Sequence, residues 1–259
     1  MARSIGDLKI LFGAMCGPDS GDAMSVPGGS KTGLCNAEGE LKPGTAQAAR
    51  MRIGILQGDA LGRVTPETQM AVRQAAQHLA YAGFELEPFR LSNLERVLEL
   101  WWFFFGTVVS ELFQSEIRGR EELLSPVFRD YLEAARPTES KPMSMLQFVA
   151  MCAARDCERE AILRAMRDVP ILLSPVSTAP AFRHAEGGYL KGVRYRDAMR
   201  HSQWPNLVGL PGVSIPMAST AEGLPVGVQL IGRPHEEELL LAVAEFLELE
   251  RGPWRAPSL

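Results

Sequence analysis

The 259-residue chain is 46% apolar and 22% charged, a globular composition long enough to bury a sizeable core. A formal net charge of -4, with no dense run of Lys or Arg, argues against a nucleic-acid face. No stretch reaches the ~18 consecutive apolar residues that a spanning helix needs, and the run Ile10–Met15 is too short and too late for a secretory core.

In chain order, Asp7 to Met15 predicts a short helix, and Gly17 to Gly44, crowded with Gly, Pro, Ser and Asp, predicts a long surface loop. Met51 to Leu56 reads as a buried strand. Thr65 is placed to cap the next helix and Pro66 to occupy its first position, with Val72, Ala75, Ala76, Leu79 and Ala80 recurring at helical spacing. Gly83 closes that helix and Phe84 to Glu87 alternates like a strand. Strand, helix and strand within about thirty residues make a right-handed βαβ unit, so the fold class is α/β with a mixed β-sheet flanked by helices on both faces.

Leu94 to Arg136 is helical in pattern, with interruptions expected near Gly106 and at Ser125-Pro126. The aromatic run Trp101-Trp102-Phe103-Phe104-Phe105 belongs on a helix lining a core or a pocket. Met143 to Arg167 predicts a further helix that buries Leu146, Val149, Ala150, Ala153 and Cys157. A short strand at Ile171 to Leu173 precedes a polar loop from Ser174 to Tyr195, then a helical turn to Trp204. Val213 to Met217 and Val226 to Ile231 pair as strands, and a helix begins at Glu236, where three glutamates favour the positive end of its dipole.

Cysteine chemistry is unpromising. Cys16, Cys35, Cys152 and Cys157 show no metal-ligand spacing, and the expectation is reduced, buried thiols in a cytoplasmic setting, with no metal and no cofactor. Other local patterns also fail. Gly28-Gly29-Ser30-Lys31-Thr32-Gly33 lacks the spacing of a phosphate loop and the partner motifs of penicillin-binding enzymes. Gly212-Val213-Ser214-Ile215-Pro216 puts proline where a nucleophile elbow needs glycine, so Ser214 is read as a strand residue. His184-Ala185-Glu186 has no Pro-Cys-x-x-Cys after it, and Asp197 with His201 reads as a surface pair four apart.

One block is specific. Asn206 to Arg233, NLVGLPGVSIPMASTAEGLPVGVQLIGR, joins an Asn-x-x-Gly-x-Pro turn to two apolar strands through a Gly-Leu-Pro loop. Together with the opening Ala2-Arg3-Ser4 and Asp7, Gly17-Pro18-Asp19, Arg52 to Ile55, Leu172 to Pro175 and Ala179 to Phe182, it resembles the C-terminal core of the amidase-signature family. The resemblance implies residues 1–259 as the C-terminal portion of one domain, incomplete on its N-terminal side. It also implies hydrolysis of carbon–nitrogen bonds in small-molecule amides through a Ser-Ser-Lys acyl-enzyme mechanism. No Gly-Gly-Ser-Ser-Gly loop is found in the chain, so none of its residues is assigned a catalytic role, and alone it is expected to be inactive. Pro175, Asn206, Gly209 and Pro211 are the substrate-pocket candidates the resemblance supplies, each with a competing structural role as a turn or strand-entry residue; Gln229 is read as structural. Met199 stands where the family's transfer-RNA amidotransferase subunits carry an aspartate, so the chain looks more like a small-molecule amidase or a fatty-acid-amide-hydrolase-like enzyme. The alternative is a non-catalytic remnant acting as a binding or interaction module that complements a separate N-terminal half. Either way, an incomplete sheet is expected to drive self-association.

Overall fold

The computed structural model describes residues 1–25, 51–56, 64–135, 143–181, 189–190, 193–194 and 198–252. A five-stranded mixed sheet runs in the order β2-β1-β3-β7-β6, with β1 at Arg52–Leu56, β2 at Glu85–Phe89, β3 at Ile171–Pro175, β6 at Gly212–Ser219 and β7 at Pro225–Gly232. β1 lies parallel to both β2 and β3; β7 is antiparallel to β3 and to β6. The crossover from β1 to β2 is α2, Pro66–Tyr81, whose Thr65 side chain accepts from Thr68 N and whose first residue is proline. Within the stretch expected to be a plain loop, Tyr189–Leu190 and Val193–Arg194 form a small antiparallel ladder, β4 and β5.

Each face of the sheet carries its own apolar layer. On one side α1 (Ile5–Met15), α2 and the last helix, α8 (Glu237–Arg251), pack on Ile53, Ile171, Leu173, Ile215, Val228 and Leu230. On the other, α3 (Leu94–Trp101), α6 (Met145–Ala165) and α7 (Arg200–Val208) enclose Leu56, Leu172, Ile231 and the fully buried Trp204. Strand alternation produces this division: Ile171 and Leu173 face one layer and Leu172 the other. α1 is tied down at Ile5, whose N–H donates to Glu248 Oε2 at 2.8 Å, and by an ion pair between Lys9 and Glu245.

Two expectations about helices need correction. The chain does not break at Gly106: α3 passes into a π-helical segment, Trp102–Val108, and on into α4, Val109–Ile117. Gly106 lets α5 (Pro126–Ala135) come close, since a Cβ there would lie 3.4 Å from Ala135 Cβ and 3.0 Å from the Trp102 ring. The face of α6 expected to be buried is turned outward instead. Leu146 is 80% exposed and Val149 54%, and Ala150, Ala153 and Cys157 are exposed too. Turned inward are Phe148, Met151, Arg155 and Arg159. Phe148 packs near the Phe103 and Phe104 rings, Arg155 lies over Phe104 at 5.2 Å, and Arg159 Nε donates to Val208 O at 2.8 Å. The arginine stems cover apolar surface while their heads meet rings and carbonyls, so a stripe of hydrophobic letters did not identify the packed face. The thiols also depart from expectation: Cys16 and Cys157 are exposed and Cys152 half-buried, all three free. Cys35 lies outside the described residues, as does most of the loop from Gly17 to Gly44 with its Ser30 motif.

Among the described residues no helix is long and apolar enough to cross a membrane. The tightest point of the sheet is Gly54 on β1. A Cβ there would sit 2.8 Å from Phe89 Cβ and 2.7 Å from Leu172 Cδ2, closer than carbon atoms pack. Gly54→Ala is therefore expected to lower unfolding free energy by about 1–3 kcal/mol in urea titrations; an unchanged midpoint and slope would show that this packing is slack.

Candidate active site

The site region is organised by α7 and the strands beneath it. Pro205 sits inside α7, and having no N–H it leaves the carbonyl four residues back, His201 O, without its helical donor. Gln229 supplies one: its Nε2 donates to His201 O at 2.8 Å and to Ser174 Oγ at 2.9 Å. Ser174 Oγ in turn donates to Pro175 O at 3.0 Å. One buried amide on β7 thus ties α7 to β3 across the sheet, through the register pair Ser174–Gln229. Ser214 on β6 is opposite Gln229 on its other side and is exposed.

α7 ends at Gly209, in the left-handed region at φ 65°, and Leu210 N–H returns to Pro205 O at 3.0 Å. Pro211 O then accepts from Gly232 N at 2.9 Å, fastening the entry to β6. Asn206, Gly209 and Pro211 accordingly share one turn at the end of α7. Pro175 lies on β3, two strands away. The Asn206 side chain does not bond local backbone; its Oδ1 accepts from Trp101 Nε1 at 3.2 Å, linking α7 to the end of α3. The loop beyond Pro175 is held by Thr178, whose carbonyl accepts from Thr65 N at 2.8 Å and whose N–H donates to Ala198 O at 3.0 Å.

Between α3, the π-helical segment and α7 is a cleft of about 340 Å³ lined by Glu95, Leu98, Glu99, Trp102, Phe103, Thr107, Arg200 and Gln203. That volume is within the range of small-molecule sites. The aromatic run thus lines a pocket, as its sequence suggested. The four candidates taken from the Asn206 block and Pro175 do not line it; Asn206 stands one helical turn beyond Gln203. A larger depression of about 440 Å³ follows the charged side of α6 alone, lined by Asp156, Arg159, Glu160, Leu163, Arg164 and Arg167, and offers little apolar wall. The cleft's own residues carried no signal in the sequence beyond the aromatic letters, because Arg200 and Gln203 meet Glu95 only through the fold.

His201 is not a surface residue. It is fully buried, and neither ring nitrogen has a hydrogen-bond partner among the described residues. Burial, with the neighbouring Arg200 charge, lowers its pKa from 6.5 to about 4, so the ring is neutral at pH 7. Asp197, its expected partner, lies outside the described residues, as does His184-Ala185-Glu186. No group of three or more His, Cys, Asp and Glu among the described residues is placed to hold a metal ion.

Comparison with known proteins gives a consistent result. A model of the Amidase family matches residues 1–241. A glutamyl-tRNA(Gln) amidotransferase polypeptide of Desulfotalea psychrophila is 27% identical over 272 residues, covering 96% of this chain and 53% of that protein. The structure of 6-aminohexanoate cyclic dimer hydrolase complexed with substrate superposes with a TM-score of 0.73 at 21% identity, over 99% of this chain and 55% of the other. Fatty acid amide hydrolase gives 0.72 at 20% identity, over 97% and 48%. The chain spans about half the length of the relatives it matches.

The neutral, buried His201 has a pH signature. Below its unfolded value of 6.5 the unfolded chain takes up a proton that the folded chain refuses, so stability falls as pH drops towards about 4 and this group contributes no further loss below that. Across that window the loss is roughly 3 kcal/mol. Denaturation curves of the unsubstituted chain and His201→Leu between pH 7 and 4 are expected to diverge by that amount, with the leucine variant the less acid-sensitive; parallel pH dependences would mean the imidazole is solvated.

Proposed function

Because this chain belongs to the amidase family, we propose that residues 1–259 form the C-terminal portion of a single amidase domain, and that the complete domain hydrolyses the carbon–nitrogen bond of a small-molecule amide. The observation that carries this reading is the family match along residues 1–241, combined with a span of only about half of each relative. In this proposal the serine nucleophile, the bridging serine and the lysine base come from polypeptide outside these residues. The serines present fit other work. Ser174 is buried with its hydroxyl committed to Pro175 O, and Ser214 is an exposed residue of the outer strand.

What this chain contributes is shape and orientation. Gln229 and Ser174 fix α7 against the sheet; Asn206 and Trp101 fix α3 against α7; the cleft between the two helices then has rigid walls able to position the part of an amide remote from the reacting bond. A small neutral amide suits this role better than the substrate of a transfer-RNA amidotransferase, since Met199, an uncharged residue, opens α7.

A second reading, a non-catalytic module that pairs with a separate N-terminal half, is favoured by the outward apolar face of α6, with Met145 77% and Leu146 80% exposed. The two readings part in one assay. Amide hydrolysis is compared between the 259-residue chain alone and a form extended upstream in the same reading frame. Activity confined to the extended form supports the amidase reading, and inactivity of both supports the module. Hydrolysis by the chain alone that vanishes in Ser214→Ala would falsify the assignment of the chemistry to residues outside it.

A further inference from the structure

We propose that the cleft between α3 and α7 binds uncharged amides whose carboxamide is attached to a flat or short apolar group, and that it discriminates against free amino acids such as glutamine. This rests on the amidase reading for its biological meaning but not for its test.

The first argument is charge. The cleft's carboxylates are already occupied: Glu95 is paired with Arg200, and Glu99 with Arg96 at 3.1 Å. Arg200 is the only cation among the lining residues, and it is the group that Glu95 holds. A zwitterion entering here would have to strip water from an ammonium and a carboxylate and then compete with an existing pair for each partner, which costs more than it returns. A neutral ligand meets no such cost.

The second argument is the apolar wall. Leu98 is buried at the cleft, and Trp102 and Phe103 are half-buried beside it. The Trp102 ring is held from two sides, edge-on to Trp101 at 5.2 Å between centroids and tilted against Tyr131 at 5.8 Å. Tyr131 is itself anchored through its hydroxyl, which donates to Phe105 O. A ring held this way offers a flat surface without losing side-chain freedom on binding, which favours a flat partner.

The third argument is polar complementarity. Arg200 Nε is buried without a partner among the described residues, a donor that an amide carbonyl oxygen would satisfy. Thr107 Oγ1 donates to Ala135 O at 3.2 Å, which leaves its lone pairs to accept from an amide N–H. One acceptor and one donor beside an apolar plate describe a carboxamide on an aryl or short alkyl group.

Benzamide is the probe, added to the 259-residue chain and followed by the indole N–H resonances of its tryptophans. The Trp102 resonance is expected to shift, with a dissociation constant in about the low-millimolar range for so small a ligand. The resonance of Trp204, which is fully buried in the neighbouring core, is expected to stay in place. Trp102→Ala is expected to weaken binding about tenfold, and Thr107→Val, a near-isosteric change at the rim that leaves the core alone, to weaken it by about threefold. L-Glutamine, benzoate and benzylammonium are expected to leave Trp102 unmoved at the same concentration. A Trp102 resonance unmoved by benzamide, equal binding by Thr107→Val, or glutamine binding tighter than benzamide overturns the proposal. Because binding is read on the chain without turnover, those results leave the amidase reading to its own hydrolysis assay: loss of hydrolysis with benzamide still bound sinks that reading and not this one.

Discussion

A hydrogen bond that Pro205 cannot make governs the layout of this molecule. A proline inside α7 strips a donor from the helix, and the carbonyl it abandons, His201 O, belongs to a fully buried residue. Gln229 reaches up from β7 to take that carbonyl and holds Ser174 on β3 with its other N–H. The helix is therefore pinned to two strands at the point where it is weakest. Everything that forms the cleft follows from the position of α7: Arg200 meets Glu95, Gln203 faces the π-helical segment, and Asn206 receives Trp101. An alanine at 205 would mend the helix and leave the sheet with one reason fewer to hold it.

The second constraint is the balance of the two faces. The layer around α2 and α8 is built from aliphatic side chains on alternate strand positions and needs no polar device. The layer around α3, α6 and α7 carries the polar cost: a buried histidine with neither nitrogen bonded among the described residues, a buried glutamine, and arginines of α6 laid over rings and a helix end. Proteins tolerate such groups where geometry matters more than stability, and this is the face that bears the cleft. The outward apolar stripe of α6 belongs to the same layer, so the side with the site is also the side with unpartnered hydrophobic surface.

The fold was largely legible in the residues. Thr65-Pro66, the helical spacing through Leu79 and the alternation after Gly83 announced the parallel unit, and the Asn206 to Arg233 block announced an antiparallel pair joined to it. Misreadings came where one sequence pattern fits two packings. The apolar residues of α6 recur at helical spacing, but Phe148, Met151 and the arginine stems offered another face with better partners on α7 and the aromatic run. Gly106 looked like a break because glycine weakens helices, whereas here it admits α5 and the helix widens into a π turn. Within the site, Asn206 and Gly209 stood out as turn chemistry, but the Gln229–His201 contact joins residues 28 apart in sequence, and no local pattern encodes it.

The most direct test of this account is a double-mutant cycle between Pro205 and Gln229, read by unfolding free energy. In the unsubstituted background Gln229→Leu is expected to cost about 2–3 kcal/mol, because it leaves a buried carbonyl without a donor. In Pro205→Ala the new backbone N–H can take His201 O, so the same glutamine substitution is expected to cost at least ~1 kcal/mol less. Equal costs in the two backgrounds would contradict the account, since they would mean that the glutamine does not stand in for the bond proline removes.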